Sequence, residues 1–322
     1  MDMFRGGLLQ AVWRGRAGKD WRVRSGRHID GSIVVEGRER AFHLFVPSSL
    51  NGRVPLLIAL HGGGGAGLWF EKLTTREQFD ELATRDQWIV AYPDGLYHRW
   101  NDGRNDATAH PSAERVDDVL FISTLIDHLK ELYSIDTNRV FVTGMSNGGM
   151  MTERLGCELS DKIAAIAAVA GSLPQALADA TPARPTPVLI MHGTEDPIVP
   201  WIGGEVQAFG EERGRVLSVP DTARFWARHN GCTEVIPTTY LPAEDGGTSH
   251  TWKEECTNPA TGLKVVLYGI DGGGHVWPGG AVLPRNAPAR STPGIDACTT
   301  IWEFFRERRP SNSAVQERFL PK

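Results

Sequence analysis

No run of the 322-residue chain approaches the roughly 18 uninterrupted apolar residues that a membrane-crossing helix needs, so no transmembrane span is read. Cysteine is scarce. The four present, Cys157, Cys232, Cys256 and Cys298, show no CxxC or His/Cys ligand spacing, which argues against a structural zinc site or a dithiol redox centre. No metal and no cofactor is expected. Cys232 and Cys256 bracket a turn-rich segment, Pro242 to Gly247, and fit one disulfide as well as two free thiols. Charge of one sign is lacking too: 34 basic and 39 acidic residues are interspersed to a net charge of −5. Without a basic stripe or polybasic run, neither nucleic acid nor a membrane surface is expected as a partner. Near the start, Arg5, Arg14 and Arg16 flank only a short apolar stretch, Leu8 to Val12, without a small-residue cleavage site. No signal peptide is read, which places the chain in the cytoplasm by default, or outside the cell if a leader precedes it. The sequence does not address oligomeric state.

What is present is a 41% hydrophobic content and a recurring alternation of strand and helix patterns. Two short alternating runs, Gly31 to Val35 and Arg40 to Val46, fit an opening β-hairpin around Glu36-Gly37-Arg38. Val54 to Leu60 is continuously apolar, as in a strand buried on both faces, and it ends in His61-Gly62-Gly63-Gly64-Gly65. The pattern then predicts a helix near Thr75 to Thr84, a strand at Trp88 to Tyr92 and a helix from Val116 to Tyr133. The last would bury Val116, Val119, Leu120, Ile122, Leu125, Ile126, Leu129 and Leu132. A strand at Arg139 to Gly144, a helix from Gly148 to Leu159, strands at Ala164 to Ala170, Pro187 to Met191 and Lys264 to Ile270, and a closing helix at Gly294 to Arg308 complete the series. Parallel strands need crossovers, so this alternation predicts a mostly parallel, doubly wound α/β sheet in one domain, residues 29–309. An N-terminal extension (1–28) and a polar tail (310–322) flank it, and Gly203 to Arg215 and Pro242 to Thr248 read as surface excursions.

Gly144-Met145-Ser146-Asn147-Gly148 falls between a strand and a helix, where flanking glycines permit a sharp, strained turn that lifts a hydroxyl clear of its neighbours. A serine hydroxyl is a poor nucleophile unless a base lies in hydrogen-bond reach. Two later strands end in suitable loops. His192-Gly193-Thr194-Glu195-Asp196-Pro197 supplies an acid, and Asp271-Gly272-Gly273-Gly274-His275 supplies a base. Asp196 and His275 are the assignments, with Glu195 the competing acid and His192 a structural histidine. The backbone N–H groups of Asn147 and of Gly63 are the candidates for an oxyanion hole, with the His61 ring structural. Of ten tryptophans, Trp69, Trp100, Trp201 and Trp277 fall on loops near the carboxyl ends of strands. Trp100, Trp201 and Trp277 are the candidate substrate contacts.

Over about Ile29 to Phe305 the chain resembles the polyhydroxybutyrate-depolymerase-like and feruloyl-esterase-like α/β-hydrolases, esterases grouped with carbohydrate esterase family one. The resemblance rests on Pro55 to Gly62, Tyr92-Pro93-Asp94-Gly95, Trp100-Asn101, Val116-Asp117-Asp118-Val119, Gly144 to Met151, His192 to Asp196 and Gly273 to Gly280. It implies an α/β-hydrolase fold and a triad of Ser146, His275 and Asp196 working through an acyl-enzyme. It also implies Trp100 and Trp277 near an acyl or aryl pocket, and small or oligomeric esters as substrates. Feruloyl or other aryl esters and short acyl esters lead, and poly(3-hydroxybutyrate) or hydroxyalkanoate oligomers are the alternative. The loop Gly103 to Ala113 lacks the cysteines often found there in relatives, and Gly62 to Gly65 is unusually rich in glycine. A catalytically silent binding protein on the same fold, and an acyltransferase, are the readings of other classes.

Overall fold

The computed structural model describes residues 25–104, 116–208, 210–242, 248–280 and 294–307. Most of the expected N-terminal extension, the polar tail, most of the loop Gly103 to Ala113 and the tip of the Pro242 to Thr248 excursion lie outside them.

A ten-stranded sheet organises the chain, in the order β1-β2-β4-β3-β5-β6-β7-β12-β11-β10. The opening hairpin is β1 (Gly26–Val35) against β2 (Arg38–Pro47), and β2 adds antiparallel to β4 (Ile89–Pro93). From β4 the strands run parallel through β3 (Val54–Leu60), β5 (Ile135–Met145), β6 (Ala165–Val169), β7 (Val188–Gly193) and β12 (Lys264–Ile270). Successive side chains of a strand point to opposite faces, and β3 shows why its run is wholly apolar. Leu56, Ile58 and Leu60 enter one core with α3 (Asp118–Leu132), α4 (Asn147–Glu158) and α5 (Val219–His229). Leu57 and Ala59 enter the other with α2 (Gln78–Asp86) and α6 (Ala297–Arg306). This is the doubly wound α/β architecture expected from the alternation, and it fits the α/β-hydrolase fold that the resemblance implies. No helix among the described residues is long and apolar enough to cross a membrane.

The order of strands fixes where a site can form. After β3 the chain turns outward to β4, and after β5 it turns the opposite way to β6. Adjacent strands whose connections diverge leave a crevice beyond their carboxyl ends. The glycine loop follows β3 and Ser146 follows β5, so both open onto that crevice.

Several sequence expectations are corrected. In α3 Leu120 and Leu132 are 41% and 48% exposed, while Phe121, left off the predicted face, is buried. Phe121 is held there by Arg40, whose guanidinium lies 3.9 Å from the ring centroid and pairs with buried Asp118 at 2.6 Å. The helix predicted from Thr75 starts at Gln78, because Arg76 and Glu77 take left-handed backbone angles after a single turn, α1 (Gly67–Trp69), and a π-turn at Phe70–Thr74. The excursion at Gly203 to Arg215 is a two-stranded hairpin, β8 (Gly204–Ala208) with β9 (Glu211–Val216). Two strands passed unpredicted: β10 (Glu234–Pro242) and β11 (Thr248–Thr257) extend the sheet antiparallel beyond β12. All four cysteines are free thiols, Cys232 and Cys256 included.

Candidate active site

Ser146 sits between β5 and α4 at φ 57° and ψ −120°, a conformation that L-residues other than glycine rarely hold. The glycines around it make room. A Cβ on Gly144 would lie 2.5 Å from the Gly148 carbonyl oxygen, and one on Gly148 would lie 2.4 Å from the carbonyl of His61. The turn is clamped by the Ser146 N–H, which donates to the Val169 carbonyl at 2.9 Å. Asn147 opens α4, where backbone N–H groups lack intrahelical acceptors and the helix dipole favours negative charge. Its side chain is committed elsewhere: Oδ1 accepts the Trp100 N–H, and Nδ2 donates to the Trp100 carbonyl and to Asp102. The glycine loop lies against this turn. A Cβ on Gly62 would sit 3.5 Å from Ser146 Cβ, and one on Gly63 would sit 3.7 Å from Asn147 Cβ. The Gly64 and Gly65 N–H groups are bound by the carbonyls of His98 and Gly62.

Asp196 and His275 meet between the loops after β7 and β12. Nδ1 of His275 lies 2.7 Å from Asp196 Oδ2, and Asp196 Oδ1 accepts the N–H groups of Ile198 and Val199. Burial alone would raise the Asp196 carboxyl, but the charge and hydrogen bond of His275, with further help from His192 and Val199, hold it below its ordinary range. The approach depends on Gly193, where a Cβ would lie 2.2 Å from the Gly273 carbonyl oxygen. Thr194 stitches the two loops, its hydroxyl accepting the Gly272 N–H at 2.9 Å. Glu195 is exposed, whereas Asp196 is buried and makes the contact with His275.

The two other histidines of the region act as braces. His61 Nε2 accepts the Gly95 N–H at 2.9 Å and its Nδ1 donates to the Gly62 carbonyl, with burial pushing its pKa down. His192, fully buried and likewise pushed down, bonds the Val199 carbonyl.

The tryptophans expected at the substrate sort differently. Trp100 is only 4% exposed; its indole N–H donates to the His61 carbonyl and its backbone holds Asn147, so it braces the turn. Trp277 is buried edge-on between Phe70 and Phe79. Trp201 is half-buried against Trp252 and His192. The exposed ring is Trp69, at 54%, stacked parallel on His98 with centroids 6.4 Å apart. The loop position of Trp69 was visible in the sequence, but its pairing with His98, 29 positions on, was not. Asp102, which holds Asn147, passed unrecognised, and Asp118, noted only as part of the Val116 to Val119 motif, holds Asn101. Two crevices, of about 530 and 420 Å³, lie elsewhere, one against Phe141 and Trp302 and one between Arg104 and Arg215; neither is lined by Ser146, Asp196 or His275.

A parallel sheet with this switch point and a strained serine turn at its crest defines an α/β-hydrolase. Residues 43–208 match the phospholipase/carboxylesterase family, and the chain belongs to it. It is 33% identical to "Putative esterase NocK" of Nocardia uniformis subsp. tsuyamanensis, over 81% of this chain and 77% of that one. It is also 33% identical to feruloyl esterase B of Piromyces equi over 71% of its length, and spans 41% of that longer relative. The acetyl xylan esterase of Aspergillus awamori shares the fold at a TM-score of 0.51 and 18% identity, over 74% of this chain and 89% of that one.

Proposed function

We propose that this esterase of the α/β-hydrolase superfamily works through Ser146, His275 and Asp196, and that it cleaves feruloyl or other aryl esters and short-chain acyl esters. The observation that carries the proposal is the part-buried Asp196–His275 pair, set on the loops after β7 and β12 at the end of the sheet where Ser146 is strained. Because His275 Nδ1 donates to Asp196, its Nε2 is left as an acceptor. Nε2 takes the proton of the Ser146 hydroxyl as Oγ attacks the ester carbonyl, and the resulting imidazolium is stabilised by the Asp196 carboxylate. The tetrahedral oxyanion accepts hydrogen bonds from the backbone N–H groups of Asn147 and Gly63, each worth a few kcal/mol in the transition state. His275 returns the proton to the leaving alcohol, and water repeats the cycle on the acyl-enzyme. The Trp69–His98 stack supports an aryl group in the substrate. Its Trp69 ring is 54% exposed, and His98 holds the glycine loop through both its carbonyl, bound to the Gly64 N–H, and its Nδ1, bound to the Gly65 carbonyl.

A substrate panel tests this reading, with methyl ferulate, short-chain acyl esters and hydroxybutyrate oligomers compared on the native chain and on Ser146→Ala. The expected result is turnover of the first two, lost by a factor on the order of 10⁶ in the variant. Turnover of the oligomers alone would overturn the substrate assignment, and full activity in Ser146→Ala would overturn the nucleophile.

A further inference from the structure

His28, Glu71 and Asp80 come from three separate elements, β1, the π-turn and α2, and one ligand atom from each lies within 4.8 Å of the other two. We propose that these three side chains form a binding site for a divalent transition-metal ion of the Zn²⁺ class, distinct from the ester-cleaving site and independent of its assignment.

Glu71 and Asp80 are each only 1% exposed, whereas the His28 side chain is 44% exposed, so an ion can enter from solvent past the imidazole. Nδ1 of His28 is 3.2 Å from Glu71 Oε1. Ligand atoms on a tetrahedral ion at bond lengths near 2.1 Å are separated by roughly 3.4 Å, close to that spacing. Asp80 Oδ2 lies 4.0 Å from Nε2 of the same ring, so rotation of the exposed imidazole and a small movement of the carboxylate complete the set.

Asp80 supplies the independent sign of a missing partner. Its Oδ1 accepts the Tyr92 hydroxyl at 2.7 Å, while its Oδ2, buried and turned toward His28, has no hydrogen-bond partner. A buried carboxylate oxygen is ordinarily satisfied. Lys72 pairs with Glu71 but leaves that Asp80 oxygen unmatched; it is also within 2.6 Å of Glu77, which can hold it when Glu71 turns to an ion.

The surroundings have the form of a coordination shell. Tyr92 orients Asp80 from behind, as outer-shell donors orient metal-bound carboxylates. Phe45 packs on the imidazole, with ring centroids 5.1 Å apart. The π-turn that aims Glu71 inward is a rare backbone form that collects at functional positions. One imidazole with two carboxylates favours Zn²⁺ over Ca²⁺ or Mg²⁺, which prefer all-oxygen shells.

Calorimetric titration of chelator-treated protein with Zn²⁺, Mn²⁺ and Ca²⁺ tests the site, paired with thermal unfolding. The expected result is one saturable Zn²⁺ equivalent that is lost in both Asp80→Asn and His28→Gln. With Zn²⁺ at a hundredfold excess over Kd, the melting temperature of the native chain should rise by about 5 °C. Should Asp80→Asn fail to fold, His28→Gln, altered at an exposed ring, carries the comparison. Absence of saturable Zn²⁺ binding to the native chain, or binding that survives His28→Gln unchanged, overturns the proposal.

Discussion

Asp196 accepts two backbone N–H groups on one oxygen and His275 on the other, so its carboxylate is fixed in direction before any substrate arrives. Replacing it by Asn keeps the shape but presents an amide to Nδ1, which favours the wrong imidazole tautomer. Asp196→Asn should lower kcat by about 10⁴-fold with little change in KM, whereas Glu195→Gln, on the exposed neighbour, should cost less than about twofold. Steady-state kinetics on one aryl ester decides between them, and a larger loss from Glu195→Gln would reverse the assignment. The Trp69 ring makes a separate claim. A stacked aromatic contact is worth about 1 kcal/mol, so Trp69→Ala should lower the kcat/KM ratio of feruloyl to acetyl esters by roughly fivefold, mainly through KM. Equal losses on both substrates would show that the ring has no part in choosing the acyl group.

At the scale of elements, the close approach of the β7 and β12 loops is what brings Asp196 and His275 together. Gly193→Ala would drive a methyl group into the Gly273 carbonyl, and the strain should cost about 3 kcal/mol together with most of the ester turnover. Urea unfolding measures the first and kinetics the second; stability and turnover within error of the native chain would mean that the loops part without consequence. The same elements show what a sequence can reveal. β3 was legible to the residue because burial on both faces leaves no position polar, and the sharp turn at Ser146 was legible because its glycines are required by backbone contacts. β10 was not. It is exposed along nearly its whole length and carries Pro237 and Pro242, so neither alternation nor continuous apolarity marks it. The His28–Glu71–Asp80 cluster was equally hidden, since its members are 43 and 9 positions apart and only the packing of β1 against the π-turn and α2 unites them. The burial of Trp100 and Trp277 was hidden for a related reason: a loop position does not reveal whether a ring turns outward to solvent or inward to pack.

For the whole molecule, buried titratable groups set how stability varies with pH. Glu153 lies on α4, which follows the strained turn at Ser146, and complete burial raises its pKa to about 8, only partly opposed by the hydrogen bond it accepts from the Trp226 indole. An acid whose folded pKa exceeds its unfolded value of 4.5 favours the folded state most where it is protonated in both, below 4.5. Stability is then lost as pH rises from 4.5 through 8. His43 acts in the same direction at higher pH. Burial opposes its charge, but Asp94 and Asp30 outweigh burial and raise it to about 9, so its contribution is complete below 6.5 and fades between 6.5 and 9. On the acid side Asp94 and Asp196, both held below the ordinary 3.8, withdraw their contributions as they protonate. The stability of the folded chain should therefore peak near pH 5 and decline toward pH 9. Glu153→Gln retains an acceptor for Trp226 and cannot ionise. It should match the native chain at pH 4.5, exceed it by roughly 3–5 kcal/mol at pH 9, and move the maximum toward neutrality. Urea unfolding of both proteins at half-unit steps from pH 4 to 9 provides the comparison. Two parallel curves would show that Glu153 ionises as readily in the folded chain as in the unfolded one, with water reaching it, and that the pH dependence of the fold arises at other groups.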